Sequence, residues 1–225
     1  MARTSRNKQS IGRNPYGLAA AGATLLLATA NVHAQSASNV FLDFNGGGAF
    51  QQDVSVQSGF NGVPGHMQFA PGWCLTGDAG YSFSRLFSAD LESGVVWNDI
   101  SSLDGQSLAG IASAHLAEIP VLANGVFTYP LGHFKPYLGA GLGLAVGVFE
   151  SSNIPGSGPS FSDTDLTFAY QFQVGLKYSL NQNMELGLSY RFFGTSGHSW
   201  TDNGISLNTD GTMTHLIEAT FTWRF

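Results

Sequence analysis

The sequence predicts an all-β fold: an eight-stranded antiparallel up-and-down transmembrane β-barrel, preceded by a cleavable signal peptide. Three observations predict it. Apolar and polar residues alternate along eight segments, the connections between segments alternate short and long, and the final residues, Glu218 to Phe225, form an aromatic strand. On a strand successive side chains point to opposite faces. Phe221, Trp223 and Phe225 therefore share one face, and Glu218, Thr220, Thr222 and Arg224 the other. One apolar face and one charged face suit a wall with lipid outside and polar groups inside.

The chain begins with a basic region, Arg3, Arg6, Lys8 and Arg13, followed by an apolar stretch from Gly17 to Ala30 centred on Leu25-Leu26-Leu27. Val32-His33-Ala34 supplies small residues where a signal peptidase reads. This is the layout of a secretory leader, and its apolar part is too short for a comfortable transmembrane helix. Cleavage is expected after Ala34, giving a signal peptide at 1–34 and a single barrel domain at 35–225. The remaining bases are Arg85, Lys135, Lys177, Arg191 and Arg224, against fifteen acids, a formal charge of about −10. Nucleic acid, whose phosphates need basic patches, is disfavoured as a partner. Charged residues are 11 % of the chain, well below an ordinary soluble domain. The lone Cys74 cannot form an internal disulfide.

The segments follow in order. Residues 39–52 set Val40, Leu42, Phe44 and Phe50 against Asp43 and Asn45; residues 72–84 set Trp73, Leu75, Ala79, Tyr81 and Phe83 against Thr76, Asp78 and Ser82. Residues 87–98 oppose Ala89, Leu91, Val95 and Trp97 to Asp90, Glu92 and Asn98. Residues 115–129 oppose Ile119, Val121, Ala123, Phe127 and Tyr129 to Glu118, Asn124 and Thr128. Pro120 removes a ladder donor there and is read as a bulge or the upper rim. Residues 135–148 carry Leu138, Ala140, Leu142, Leu144, Val146 and Val148 on one face and Gly139, Gly141, Gly143 and Gly147 on the other.

Residues 165–180 alternate most cleanly, Leu166 through Leu180 opposing Thr167, Gln171, Gln173 and Lys177. Residues 184–193 set Leu186, Leu188, Tyr190 and Phe192 against Glu185, Ser189 and Arg191, and the last segment runs from about Thr212 to the end. Each is long enough to cross a bilayer when tilted. Short turns fall near Arg85, Leu131-Gly132-His133 and Asn181-Gln182-Asn183, and long polar loops at 53–71, 99–114, 149–164 and 194–211. Short turns on the periplasmic side and long loops outside give that alternation. A soluble barrel, apolar inside, is the competing reading. Aromatics near segment ends (Trp73, Tyr81, Phe83, Trp97, Tyr129, Tyr178 and Trp223) oppose it, because they lie where interface girdles lie.

Phe134-Lys135-Pro136-Tyr137-Leu138-Gly139-Ala140-Gly141-Leu142-Gly143 resembles the "PYxGxGxG" strand of small outer-membrane β-barrel proteins, the OmpA-like and opacity-protein-like group. Ile119-Pro120-Val121-Leu122 and Tyr129-Pro130-Leu131-Gly132 are similar to the strand and turn that precede it there. The terminal Phe221, Trp223 and Phe225 resemble the C-terminal assembly signal of such barrels, with Glu218 as its large polar residue and Thr220 where glycine is frequent. The resemblance implies a Gram-negative-type outer membrane, with partners in the lipid bilayer, lipopolysaccharide and the outer-membrane assembly machinery. It implies no cofactor, and no appended peptidoglycan-binding domain is expected.

An eight-stranded barrel has room inside for side chains only. Asp43, Asp78, Asp90, Glu92, Glu118, Glu185 and Glu218 are expected to point inward with Lys177, Arg191 and Arg224 as a salt-bridge network. An excess of inward acids, seven to three, also suits a narrow cation-preferring pore as an alternative. The glycine face of the fifth segment either makes room for long side chains or opens a gap for water.

A lipid A-modifying hydrolase is a distant alternative. His198-Ser199 adjoin, whereas such enzymes resemble a His-x-Ser pattern, and neighbours on a strand diverge. An enzyme is not expected, and His198 reads as a solvated loop residue. His66, His115, His133 and His215 lack metal-site spacing. The Ser/Gly/Asn-rich loops, such as 151–160, are expected to be mobile and to carry any contact with host or surface ligands.

Overall fold

The computed structural model describes residues 39–58, 64–103, 106–108, 112–153, 160–202 and 204–225. The expected leader lies outside them, as does the middle of the Ser/Gly-rich loop. Among the described residues eleven strands form one antiparallel sheet: β1 (Val40–Gln51), β2 (Val54–Ser58), β3 (Gly65–Phe69), β4 (Gly72–Ser82), β5 (Phe87–Leu103), β6 (Gln106–Ser107), β7 (Ser113–Thr128), β8 (Phe134–Ser152), β9 (Ser160–Ser179), β10 (Met184–Asp202) and β11 (Ile205–Arg224). The ring runs β1-β4-β5-β7-β8-β9-β10-β11 and closes through β1 against β11. Closure leaves no edge for lipid to strand without hydrogen bonds.

The ring has eight members along its whole height, because β2 prolongs β1 and β3 leads into β4. Gln51 lies opposite Thr214 and Val56 opposite Thr209, so the register against β11 is carried across the break. Likewise Met67 lies opposite Leu103 and Trp73 opposite Trp97 on β5. The breaks at 52–53 and 70–71 are bridged by Gln52 N donating to Met213 O (2.8 Å) and Ala70 N to Asp99 O (2.8 Å).

The three short turns share one end with both termini of the barrel, where Phe225 N donates to Val40 O (3.2 Å). Each has its own chemistry. Ser84 Oγ accepts from Leu86 N and Phe87 N, and Asn181 Oδ1 accepts from Asn183 N and Met184 N, side chains standing in for a backbone turn. Gly132 takes φ 65°, a left-handed conformation that costs a glycine little.

Within the band facing lipid, outward side chains are apolar and largely exposed: Leu75, Leu91, Leu138, Leu142, Phe172, Leu186, Leu188 and Ile217 among them. Rings gather at its two borders. Tyr81 with Phe83, Phe87 with Phe127 and Phe134 with Tyr178 pack at the turn end, and Trp73 with Trp97 and Tyr170 with Phe192 toward the other.

Every member of the ring runs further toward the loop end than alternation marks, by itself or, for β1 and β4, through β2 and β3. The reason is that the pattern inverts there. Val56, Met67, Ile100, Leu116, Phe149, Phe161, Trp200 and Leu207 form a buried apolar cluster inside the barrel. Their neighbours Ser55, Gln57, His66, Gln68, Asp99, Ser101, Ser162, Ser199 and Thr201 face outward. Beyond the lipid the barrel is built as a soluble one, greasy inside and polar outside. A search for the lipid-side pattern stops where it reverses.

Pro120 is neither bulge nor rim. It lies within β7, buried, paired with Ala145 of β8. Toward β5 the ladder is interrupted between Ser93–Val121 and Val96–Glu118, with the same register on either side. The missing donor costs a local gap, not a shift.

One part of the wall is joined differently. The β9–β10 ladder ends at Thr195–Ala169, although both strands continue upward. Above that point carboxylates do the joining: Asp163 Oδ2 accepts from Thr201 N (2.6 Å), Asp165 Oδ2 from Ser199 N (3.1 Å) and Asp202 Oδ2 from Ser162 N (3.3 Å). Hydrogen bonds to charged acceptors contribute about 1.5–3 kcal/mol each. Replacing Asp163 and Asp165 together by alanine is expected to speed amide exchange in 160–168 and 197–202 while 171–192 keeps its protection, as read by hydrogen-exchange mass spectrometry.

Candidate functional site

The interior is stacked in layers. At the turn end Glu185 receives Lys135 Nζ (2.5 Å) and Arg224 Nε (3.0 Å). Asp43 Oδ2 receives Lys177 Nζ (2.6 Å), whose ammonium also lies 5.7 Å from the Phe41 ring centre and 5.4 Å from that of Tyr137. Asp78 is bound by Asn45 Nδ2 (2.8 Å), and Asp90 by Asn124 Nδ2 (2.7 Å). Above them Arg191, 2 % exposed, lies between Glu92 and Glu218, with its Nε 3.2 Å from Glu218 Oε2. Gln171 Nε2 adds a bond to Glu92 Oε2 (2.6 Å), and Cys74 Sγ one to Glu218 Oε1 (3.5 Å).

A buried apolar layer follows: Ala49, Cys74, Val96, Leu122, Ala145, Ala169, Phe193 and Leu216. It separates Glu118 from the other predicted charges. Glu118 accepts from Thr212 Oγ1 (2.7 Å) and lies 3.4 Å from His198 Nε2. The aromatic cluster around Phe149, Phe161 and Trp200 closes the barrel above. The ten predicted interior charges thus form two groups: nine below the apolar layer and Glu118 above it.

The glycine face of β8 makes room for long side chains. A Cβ at Gly139 would meet Gln173, at Gly141 Asn124, and at Gly147 the His198 ring. Trp200 Nε1 reaches over this face to donate to Gly147 O (2.9 Å).

Two expectations change here. Lys135 joins the interior charges; it shares the parity of Gly139, a signal open to sequence reading. His198 is no solvated loop residue. Its side chain is fully buried in β10, stacked on Trp200 with ring centres 4.7 Å apart. Register shifts between Gly194 and Ser199 mark a β-bulge, and it changes the inward parity from Phe193 and Thr195 to His198 and Trp200. His198 Nδ1 lies 3.4 Å from Asp165 Oδ2, and Nε2 3.2 Å from Thr195 Oγ1. That is the connectivity of an acid–base–hydroxyl relay, but Thr195 and Thr212 are buried and bonded to each other (2.6 Å). Ser199 turns outward, its Oγ donating to Asn208 Oδ1 (2.6 Å).

A lipid-facing cylinder with a charged, plugged interior fits the family whose model matches residues 22–225, described as outer membrane protein beta-barrel domain. The chain belongs to that family. Its place is therefore the bacterial outer membrane. Among solved structures, Neisserial surface protein A is similar at 16 % identity and TM-score 0.53, over 85 % of this chain and 100 % of that one. The outer membrane protein OprG of Pseudomonas aeruginosa is similar at 14 % identity and TM-score 0.53, over 84 % and 98 %. The outer membrane protein AlkL, solved in lipid bilayers, is similar at 20 % identity and TM-score 0.51, over 87 % and 96 %. These likenesses concern the fold. Comparison with curated proteins gave no significant match.

Proposed function

We propose that this barrel is a sealed wall element whose work is done at its external end, in a structural or surface-interaction role. The observation that carries this reading is the closure of the lumen by two buried apolar layers, around Phe193 and around Trp200. Ions crossing such layers would shed water against groups that offer no replacement. The external end supplies a contact surface of one sign. Among the described residues Asp53, Asp99, Glu150, Asp163, Asp202 and Asp210 lie there, while Arg85 sits in a short turn and Lys135, Lys177, Arg191 and Arg224 lie inside. Cationic surfaces suit it as partners, whereas polyanions do not.

Catalysis is not part of this reading, because the His198 side chain and its hydroxyl neighbours are sealed in the wall. Lipid and lipopolysaccharide would contact the apolar band and its aromatic borders, and Phe221 and Trp223 on the outward face of β11, with Phe225 just past its end, would present the signal to the assembly machinery.

Purified protein in a planar bilayer is expected to leave the current flat. Steady unit conductance would favour the narrow cation-preferring pore instead. Cells displaying the protein are expected to be retained on polylysine-coated and not on heparin-coated glass. Equal retention after deletion of the loops would remove the surface role.

A further inference from the structure

The inner chamber, between the turns and the Arg191 layer, holds a cavity of about 30 Å³ lined by Asp43, Asp78, Asp90, Glu185, Lys177 and Arg224, among others. Asp43 and Asp78 are cross-strand neighbours on β1 and β4. Each is 7 % exposed, and each has one oxygen occupied: Oδ2 of Asp43 by Lys177 Nζ (2.6 Å) and Oδ2 of Asp78 by Asn45 Nδ2 (2.8 Å). The other oxygen of each, Oδ1, is buried with no hydrogen-bond partner. Both residues line the same cavity.

We propose that this chamber binds one small monovalent cation, of sodium size, through the free oxygens of Asp43 and Asp78. Below the apolar layer six carboxylates (Asp43, Asp78, Asp90, Glu92, Glu185 and Glu218) meet four cations (Lys135, Lys177, Arg191 and Arg224). Asp78 and Asp90 have amide donors in place of a basic partner. Like charges directly opposite on neighbouring strands repel, and unbalanced buried charge is costly. A water molecule would satisfy the hydrogen bonding and leave the charge. A cation does both.

The occupant is small, because the cavity admits about one water-sized body. It is monovalent, because Lys177 lines the same space and a hard divalent ion requires a fuller set of oxygen ligands. Among the described residues no three His, Cys, Asp or Glu side chains are grouped as a metal centre, and two carboxylates helped by neutral oxygens suit a weakly held ion. Lys135 and Arg224, each about a quarter exposed, stand at the mouth that admits it from the periplasmic side. This site is independent of the surface role.

The test compares thermal melting of the folded protein in micelles in sodium chloride and in N-methyl-D-glucamine chloride at equal ionic strength. The protein is expected to melt about 3 °C higher in sodium, and Asp78→Asn equally in both salts. Equal melting of the unaltered protein in the two salts would overturn the proposal, a water or a proton then sufficing. Sodium-23 NMR of the unaltered protein in micelles gives a second reading that needs no variant. Line broadening of the sodium signal that excess lithium reverses supports the site, and a line as narrow as that of protein-free micelles overturns it.

Discussion

Arg191→Met is expected to destabilise the barrel by about 3–5 kcal/mol, because it leaves buried carboxylates facing one another without their cation. Arg191 is 2 % exposed, and Glu92 and Glu218 beside it are 2 % and 1 % exposed. Neither acid can turn to solvent: the Phe193–Leu216 layer lies above, and the Asp78 and Asp90 tier below. Much of the loss is the desolvation of stranded charge rather than the strength of the pair. Changing Glu92 and Glu218 to glutamine in the same chain should therefore recover a large part of it. The readout is the urea midpoint for folding into vesicles, followed by the gel-mobility difference between unboiled and boiled samples. A single variant within about 1 kcal/mol of the unaltered protein would show that the interior relaxes or takes in water, and the sealed lumen would fall with it.

Leu188→Arg is the second large effect, at about 2–4 kcal/mol. Leu188 is 68 % exposed, flanked across its strands by Leu176 and Ala219. In a soluble protein an exposed leucine exchanged for arginine changes stability by about 0.5 kcal/mol or less. At the middle of a lipid-facing band the same exchange places a guanidinium in hydrocarbon. Gln57→Arg, on the outward face of β2 beyond the lipid, serves as the contrast and should be near neutral. Equal effects at the two sites would mean that the same solvent surrounds both.

The ring of eight and its inward charges were legible in the sequence because lipid outside and ions inside impose one period on every strand. Leu166 to Leu180 shows that period without interruption. What escaped reading is where a second rule took over. Phe149 and Phe161 stand in serine- and glycine-rich stretches that look like loops, yet both point inward under a polar exterior, the reverse of the code below. His198 was hidden by the bulge after Gly194, since counting by twos from Arg191 puts an even-numbered residue outside. The carboxylate seam had no pattern at all: Asp163 and Asp165 bond to backbone donors on another strand, and local sequence does not reveal where those donors are. Lys135 could have been placed by parity with Gly139. The split of Glu118 from the other charges could not, because it depends on Leu122, Phe193 and Leu216 meeting from three strands.

The reversal of greasy and polar faces partway along each strand works as a waterline. Were the cylinder to sink by two residues, the row of Asp99, Glu150 and Ser101 would be drowned in hydrocarbon; were it to rise, Leu142 and Phe168 would be beached in water. Draught is thus written into the strands themselves, which suffice to hold the barrel at one level.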